Sequence, residues 1–256
     1  IESYNLLQQD LKNRILLLDG AMGTMLQQEN LTAEDFGGEK YEGCNDYLVL
    51  QRPEIIKNIH KQYLKAGSDI IETNTFGALD IVLKDYDLED KVFEMNKTAA
   101  EIARKAINEY KAENPNETRN LYVAGALGPS NKSISVTGGV TFEELIHSYY
   151  TAVSGLLAGG VDLILFETIQ DTRNLKAAYL GLEKAMDENY YVPLMLSFTI
   201  ESTGTTLAGQ TADAFYYAVH HMNPLSVGLN CATGPEFMTQ FLKKLNEVSN
   251  TYISVY

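Results

Sequence analysis

Short continuous apolar runs alternate along this chain with longer stretches whose apolar residues recur every three or four positions. Ile15-Leu16-Leu17-Leu18, Asp69-Ile70-Ile71-Glu72-Thr73, Leu121-Tyr122-Val123-Ala124 and Leu163-Ile164-Leu165-Phe166 read as buried strands. So do Leu194-Met195-Leu196-Ser197-Phe198, Val227-Gly228-Leu229-Asn230-Cys231 and Tyr252-Ile253-Ser254-Val255. Helical periodicity fills the intervals. Pro53 opens a helix with Ile55, Ile56, Ile59 and Tyr63 on one face, and Gly67 closes it. Val92, Met95, Ala99, Ile102 and Ala106 mark a helix from Leu88 to Tyr110. Thr141-Phe142-Glu143-Glu144 is a capping box opening a helix that carries Leu145, Tyr149, Ala152, Val153 and Leu156. Further helices follow Asp171, run from about Ala212 to His221, and span Pro235 to Val248.

Strands that alternate with helices make a parallel sheet. The two candidate architectures are an open doubly wound sheet and a (β/α)8 barrel. An open sheet concentrates its chemistry at one switch point, whereas a barrel gathers the carboxyl ends of all strands. Here the runs end in polar groups almost throughout, at Asp19, Asn74, Glu167, Thr199 and Cys231. The expected fold is therefore an α/β, TIM-type (β/α)8 barrel. No eighth strand is found in the sequence, so the barrel is expected to lack it, with a terminal segment missing. Residues 1–256 are read as one domain.

Composition narrows the functional classes. A formal net charge of −14 argues against a nucleic-acid backbone or an anionic membrane as partner. No apolar run approaches the roughly 18 residues that cross a bilayer. Two cysteines, Cys44 and Cys231, make no disulfide framework, and a reducing cytoplasm is the simplest setting.

The loop Asp19-Gly20-Ala21-Met22-Gly23-Thr24 lacks the third glycine of a dinucleotide fingerprint and the Gly-Lys-Ser/Thr of a phosphate loop. Asp19 suits an ammonium group, with nearby backbone N–H groups free for a carboxylate; the alternative is a tight turn capped by the Asp. Glu167 is an amine-recognition group or general base at a strand end, or else a buried carboxylate bonded to backbone donors. Cys231 is a nucleophile, a soft-metal ligand or a small core residue. Cys44 is structural, and the four histidines fall in helical segments without a metal-binding pattern.

Taken together, several stretches resemble one family. They are Leu18 to Met25, Cys44-Asn45-Asp46-Tyr47-Leu48-Val49-Leu50, Asp69 to Gly77, Gly125-Ala126-Leu127-Gly128-Pro129, Phe166-Glu167-Thr168 with Asp171-Thr172, and Gly228 to Pro235. In this order they resemble the homocysteine-binding domain of cobalamin-dependent methionine synthase. The resemblance implies a barrel that binds zinc through three cysteine thiolates, of which Cys231 matches the first. The other two belong to a Gly-Gly-Cys-Cys-Gly motif that this sequence does not contain, and Ser130 to Thr141 replaces a longer loop. It further implies that zinc makes the homocysteine sulfur a thiolate. That sulfur then takes a methyl group from methylcobalamin, which a cobalamin-carrying module holds beside a folate-binding one. Asp19, Asn74 and Glu167 are expected to bind substrate, Asp19 and Glu167 at its amino-acid end, with backbone N–H groups of Ala21 and Met22 on its carboxylate. Three competing readings remain. One is an S-methylmethionine- or betaine-type methyltransferase. Another is a barrel lyase or aldolase using Glu167 as base. The last is a non-catalytic barrel fragment.

Overall fold

The computed structural model describes residues 2–188 and 191–256. Among these residues, six parallel strands form one curled sheet: β1 (Ile70–Glu72), β2 (Tyr122–Leu127), β3 (Leu163–Ile169), β4 (Leu194–Phe198), β5 (Ser226–Leu229) and β6 (Tyr252–Val255). The spatial order is β1-β2-β3-β4-β5-β6. Sequence order equals spatial order, so no switch point exists and the sheet winds one way, as a barrel does. The helices are α1 (Glu2–Asn13), α2 (Met22–Gln28), α3 (Leu48–Gln51), α4 (Pro53–Ala66) and α5 (Asp80–Leu83), followed by α6 (Val92–Glu113), α7 (Phe142–Ala158), α8 (Thr172–Glu188), α9 (Ala212–Val219) and α10 (Pro235–Val248). The result is a partial TIM-type barrel.

Two apolar layers sit on either side of the sheet. Outward residues such as Ile71, Val123, Ile164, Leu196 and Val227 pack beneath the helices. Inward residues Ile70, Tyr122, Ala124, Ala126, Leu163, Leu165 and Met195 close around Leu7 of α1, which is fully buried. Helix α1 carries little signal in the sequence, its residues being mostly polar. It nevertheless plugs the amino-terminal end of the barrel, with Ser3 Oγ donating to Asp162 (2.6 Å) and Tyr122 Oη to Asp10 (2.7 Å).

The first expected strand is reduced to a single bridge. Leu18 pairs with Ile70, and Asp69 N–H and Ile70 N–H donate to the Leu17 carbonyl. On its other side this segment pairs with nothing among the described residues, and Ile15 and Leu17 stand 85% and 55% exposed. A single bridge to Ile70 supplies too few ladder bonds for a strand. A cleft of about 380 Å³ opens between this segment and β6. Asp69, buried beneath it, holds the segment by accepting from Leu17 N–H (2.9 Å) and from Arg14 (2.8 and 3.0 Å).

The capping box forms as expected: Thr141 Oγ1 accepts from Glu144 N–H while Glu144 Oε2 accepts from Thr141 N–H at 2.7 Å. Thr141→Ala is expected to cost about 1 kcal/mol of stability, measured as a shift in the denaturant midpoint. An unchanged midpoint would show that tertiary packing alone fixes the start of α7.

Candidate functional site

Successive side chains on a strand face opposite sides. Ile70 and Leu165 face the barrel axis, so Glu72 and Glu167, two residues further along, face it too, nearer the carboxyl rim. Asp19 arrives from the segment beside β1, and its Oδ2 accepts from the Glu72 N–H at 3.0 Å. Three carboxylates thus meet at one end of the barrel. Burial is the main reason that all three hold their protons well above the ordinary carboxylate range. Asp19 is pushed up to about 8, the charge of Glu167 adding to burial and backbone N–H groups opposing it. Glu72 is raised by burial and then by Asp19, Glu167 and Cys231. Glu167 is pushed up to about 7 by burial and by Asp46.

Cys231 stands exposed just past β5, at the same rim. Cys231 and Ala232 adopt left-handed backbone angles (φ 55° and 57°), as does Thr168 after Glu167 (φ 54°). Such angles are costly for residues with a Cβ and persist only where the surroundings impose them. Asn230, fully buried, bonds to two of the three, Thr168 and Cys231. Its Oδ1 accepts from Thr168 N–H (3.1 Å) and Ser197 Oγ (2.7 Å), and its Nδ2 donates to Thr168 Oγ1 (2.8 Å) and Cys231 Sγ (3.2 Å). One amide therefore ties the ends of β3, β4 and β5 together and aims the thiol.

The other expected site residues divide. Asn74 is buried, and its Nδ2 donates to the Asn45 carbonyl at 2.8 Å. It anchors the Asn45–Asp46 loop, whose Asp46 Oδ1 accepts from Gly77 N–H at 2.9 Å. Ala21 precedes α2, which starts at Met22, so the N–H groups of the first turn have no intrahelical acceptor. The Ala21 carbonyl accepts from Tyr63 Oη at 3.0 Å. Cys44 is buried, and burial with nearby Asp46 pushes its thiol up to about 11, as suits a structural cysteine.

Sequence reading missed Glu72, Asp46, Asn230 and Tyr256 as members of this cluster. Glu72 carried a signal, since an acidic residue at an inward strand position is rare. Tyr256 carried none: its hydroxyl is buried beside Glu167 and Ser197. Among the described residues no three His, Cys, Asp or Glu side chains are grouped to hold a metal ion. Zinc ordinarily takes at least three protein ligands. The residues described therefore do not make a zinc site by themselves, and Cys231 is the one thiol at the rim.

Among the described residues no helix is long and apolar enough to cross a membrane. The profile of the homocysteine S-methyltransferase family matches residues 16–256. The oxidized form of the homocysteine methyltransferase MmuM from Escherichia coli superposes with a TM-score of 0.83 at 25% identity, over 98% of this chain and 85% of that one. Its metallated form superposes with a TM-score of 0.81 at 25% identity, over 96% and 84%. An old yellow enzyme homologue from Zymomonas mobilis shares only the fold, at 10% identity and a TM-score of 0.54, over 95% and 78%.

Proposed function

The chain belongs to the homocysteine S-methyltransferase family, and from that premise we propose that it binds homocysteine at the carboxylate-lined end of the barrel and presents its sulfur for methylation to methionine. The observation that carries this reading is the carboxylate-lined end of the barrel, where Asp19 Oδ2 accepts from the Glu72 N–H and the charge of Glu167 acts on Asp19, at the rim that also holds Cys231. Two buried carboxylates without a cation are electrostatically unsatisfied, and the α-ammonium of an amino acid satisfies them. Asp19 and Glu167 hold that ammonium. The N–H groups at Ala21 and Met22 face the substrate carboxylate. The three-atom side chain, two methylenes and the sulfur, then extends toward Cys231. Asn74 acts by holding the Asn45–Asp46 wall.

The sulfur attacks as a thiolate. The S–H proton passes to solvent, the sulfur pair forms the new S–C bond, and the pair of the broken methyl–donor bond stays with the donor. The donor in this reading is methylcobalamin carried by another module, as in methionine synthase, with a folate-binding module to recharge it. A reducing, cytoplasmic setting keeps Cys231 a thiol. Zinc, the cofactor that the family resemblance implies, would take Cys231 as one ligand and would lower the pKa of the substrate sulfur, with its other ligands outside the described residues. The chain's own contribution is to bind and orient. The donor is settled by incubating the protein with homocysteine and either methylcobalamin, S-methylmethionine or betaine, and measuring methionine. Turnover only with a sulfonium or betaine donor would overturn the cobalamin assignment.

Glu167→Gln is expected to weaken homocysteine binding by about 1.5–3 kcal/mol, the size of a hydrogen bond to a charged group. Calorimetry showing unchanged affinity would remove Glu167 from the ammonium site. For the metal, the 256-residue chain is expected to retain well below one zinc per chain after dialysis, because one thiolate holds zinc weakly. Stoichiometric zinc that survives Cys231→Ser would show that the ligands lie elsewhere.

A further inference from the structure

The side chains facing the barrel axis change character partway up. Ile70, Leu165 and Met195 belong to the apolar plug around Leu7. Two residues further along the same strands stand Glu72, Glu167 and Ser197. Glu72 is the one among these with a buried carboxylate oxygen, Oε1, that has no hydrogen-bond partner. Buried polar atoms in folded proteins are almost always bonded, and an orphan acceptor signals a missing donor. Its neighbour is fixed: the Glu72 N–H donates to Asp19 Oδ2 at 3.0 Å, which ties the Asp19 carboxylate to the Glu72 backbone.

A primary ammonium carries three N–H donors at tetrahedral directions. Asp19 and Glu167 supply acceptors for two. We propose that Glu72 is the third acceptor, so that it sets the site's selectivity for a free primary α-amine over thiols whose amine is absent or blocked. This rests on the homocysteine reading given above and deepens it. A purely structural Glu72 would need a partner within the protein for Oε1, and it has none. Glu72 therefore belongs with Asp19, whose Oδ2 accepts from its N–H, at the ammonium end of the pocket.

The test compares two ligands that differ only in the amine, homocysteine and 4-sulfanylbutanoate. Their dissociation constants are measured by calorimetry for wild type and for Glu72→Gln. Wild type is expected to prefer homocysteine, and Glu72→Gln to cut that preference about tenfold with little change for 4-sulfanylbutanoate. A structural defect lowers both affinities together and leaves the ratio alone, so an unchanged ratio overturns the proposal. Should the amide variant fail to fold, Glu72→Asp carries the test. Its carboxylate is one methylene short, and the ratio is expected to fall by about half or more; an unchanged ratio again overturns the proposal. If wild type binds homocysteine with no preference over the amine-free thiol, the whole ammonium site is wrong. If wild type binds neither, the substrate reading itself fails, an outcome distinct from a wrong role for Glu72.

Discussion

Glu167→Gln is expected to be more stable than wild type at pH 8 by about 2–3 kcal/mol, and no more stable at pH 4, when both are studied without ligand. The sign follows from linkage. Burial pushes the Glu167 carboxyl from an ordinary 4.5 up to about 7. A group whose folded pKa is raised contributes its full stability below its unfolded value and loses it as pH climbs through the folded value. Asp19, raised from 3.8 to about 8, and Glu72, raised well above 4.5, act in the same direction. Wild type should therefore lose stability between about pH 4 and pH 8. His60 opposes this over part of the range. It is fully buried with no partner for either ring nitrogen, and burial lowers its pKa from 6.5 to about 4. The unfolded chain takes up that proton first, so His60 costs stability as pH falls from 6.5 to 4. Three carboxyls outweigh one imidazole, and the free protein should be more stable at pH 5 than at pH 8. Homocysteine should reverse part of the slope by placing a cation among the carboxylates. Urea midpoints for wild type and Glu167→Gln at pH 5 and pH 8 decide the matter; midpoints that shift equally with pH in both proteins would mean that Glu167 is not held protonated by the fold.

The same carboxylates show why some of this protein was legible in its sequence. Strands and helices announced themselves because β2 to β5 are buried on both faces and most helices on one, so burial wrote an unbroken run or a 3.6-residue period. Asp19 and Glu167 were legible as rim residues because each ends such a run. Glu72 lies inside its run, and only the direction of the β1 pleat reveals that it faces the axis beside Asp19. Asn230 is legible as part of a motif but not as a hub, since its four bonds reach residues up to 62 positions away. Helix α1 escaped because its contribution is concentrated in Leu7, which enters the barrel plug while most of its neighbours remain polar. The Ile15–Leu18 run looked like an ordinary strand, because composition records apolarity but not how many neighbours a strand has. Among the described residues it has one.

Gly228→Ala is expected to be the most damaging single methyl group in the molecule, costing about 3 kcal/mol or more and removing homocysteine binding with it. Gly228 sits in β5 opposite Ser254 of β6. A Cβ built on it would lie 1.8 Å from the Ser254 carbonyl oxygen and 2.4 Å from Ser254 Oγ. The nearest obstacle is backbone held in a ladder, so no side chain can swing aside. Relief requires β6 to leave β5. That movement strips β6 of its one strand neighbour among the described residues and carries away Tyr256, whose hydroxyl lies beside Glu167. It also disturbs β5 two residues before Asn230, the amide that aims Cys231. Stability and binding should therefore fail together. Gly23→Ala is the matched control. Nothing lies within 4 Å of a Cβ there, and Gly23 is inside α2. Alanine is the better helix former, so that variant should gain roughly 0.5–1 kcal/mol and bind normally. Denaturant unfolding and calorimetric titration of the two variants test the pair. A Gly228→Ala protein with wild-type stability and wild-type affinity would mean that β6 does not lie against β5 in the way that completes this site.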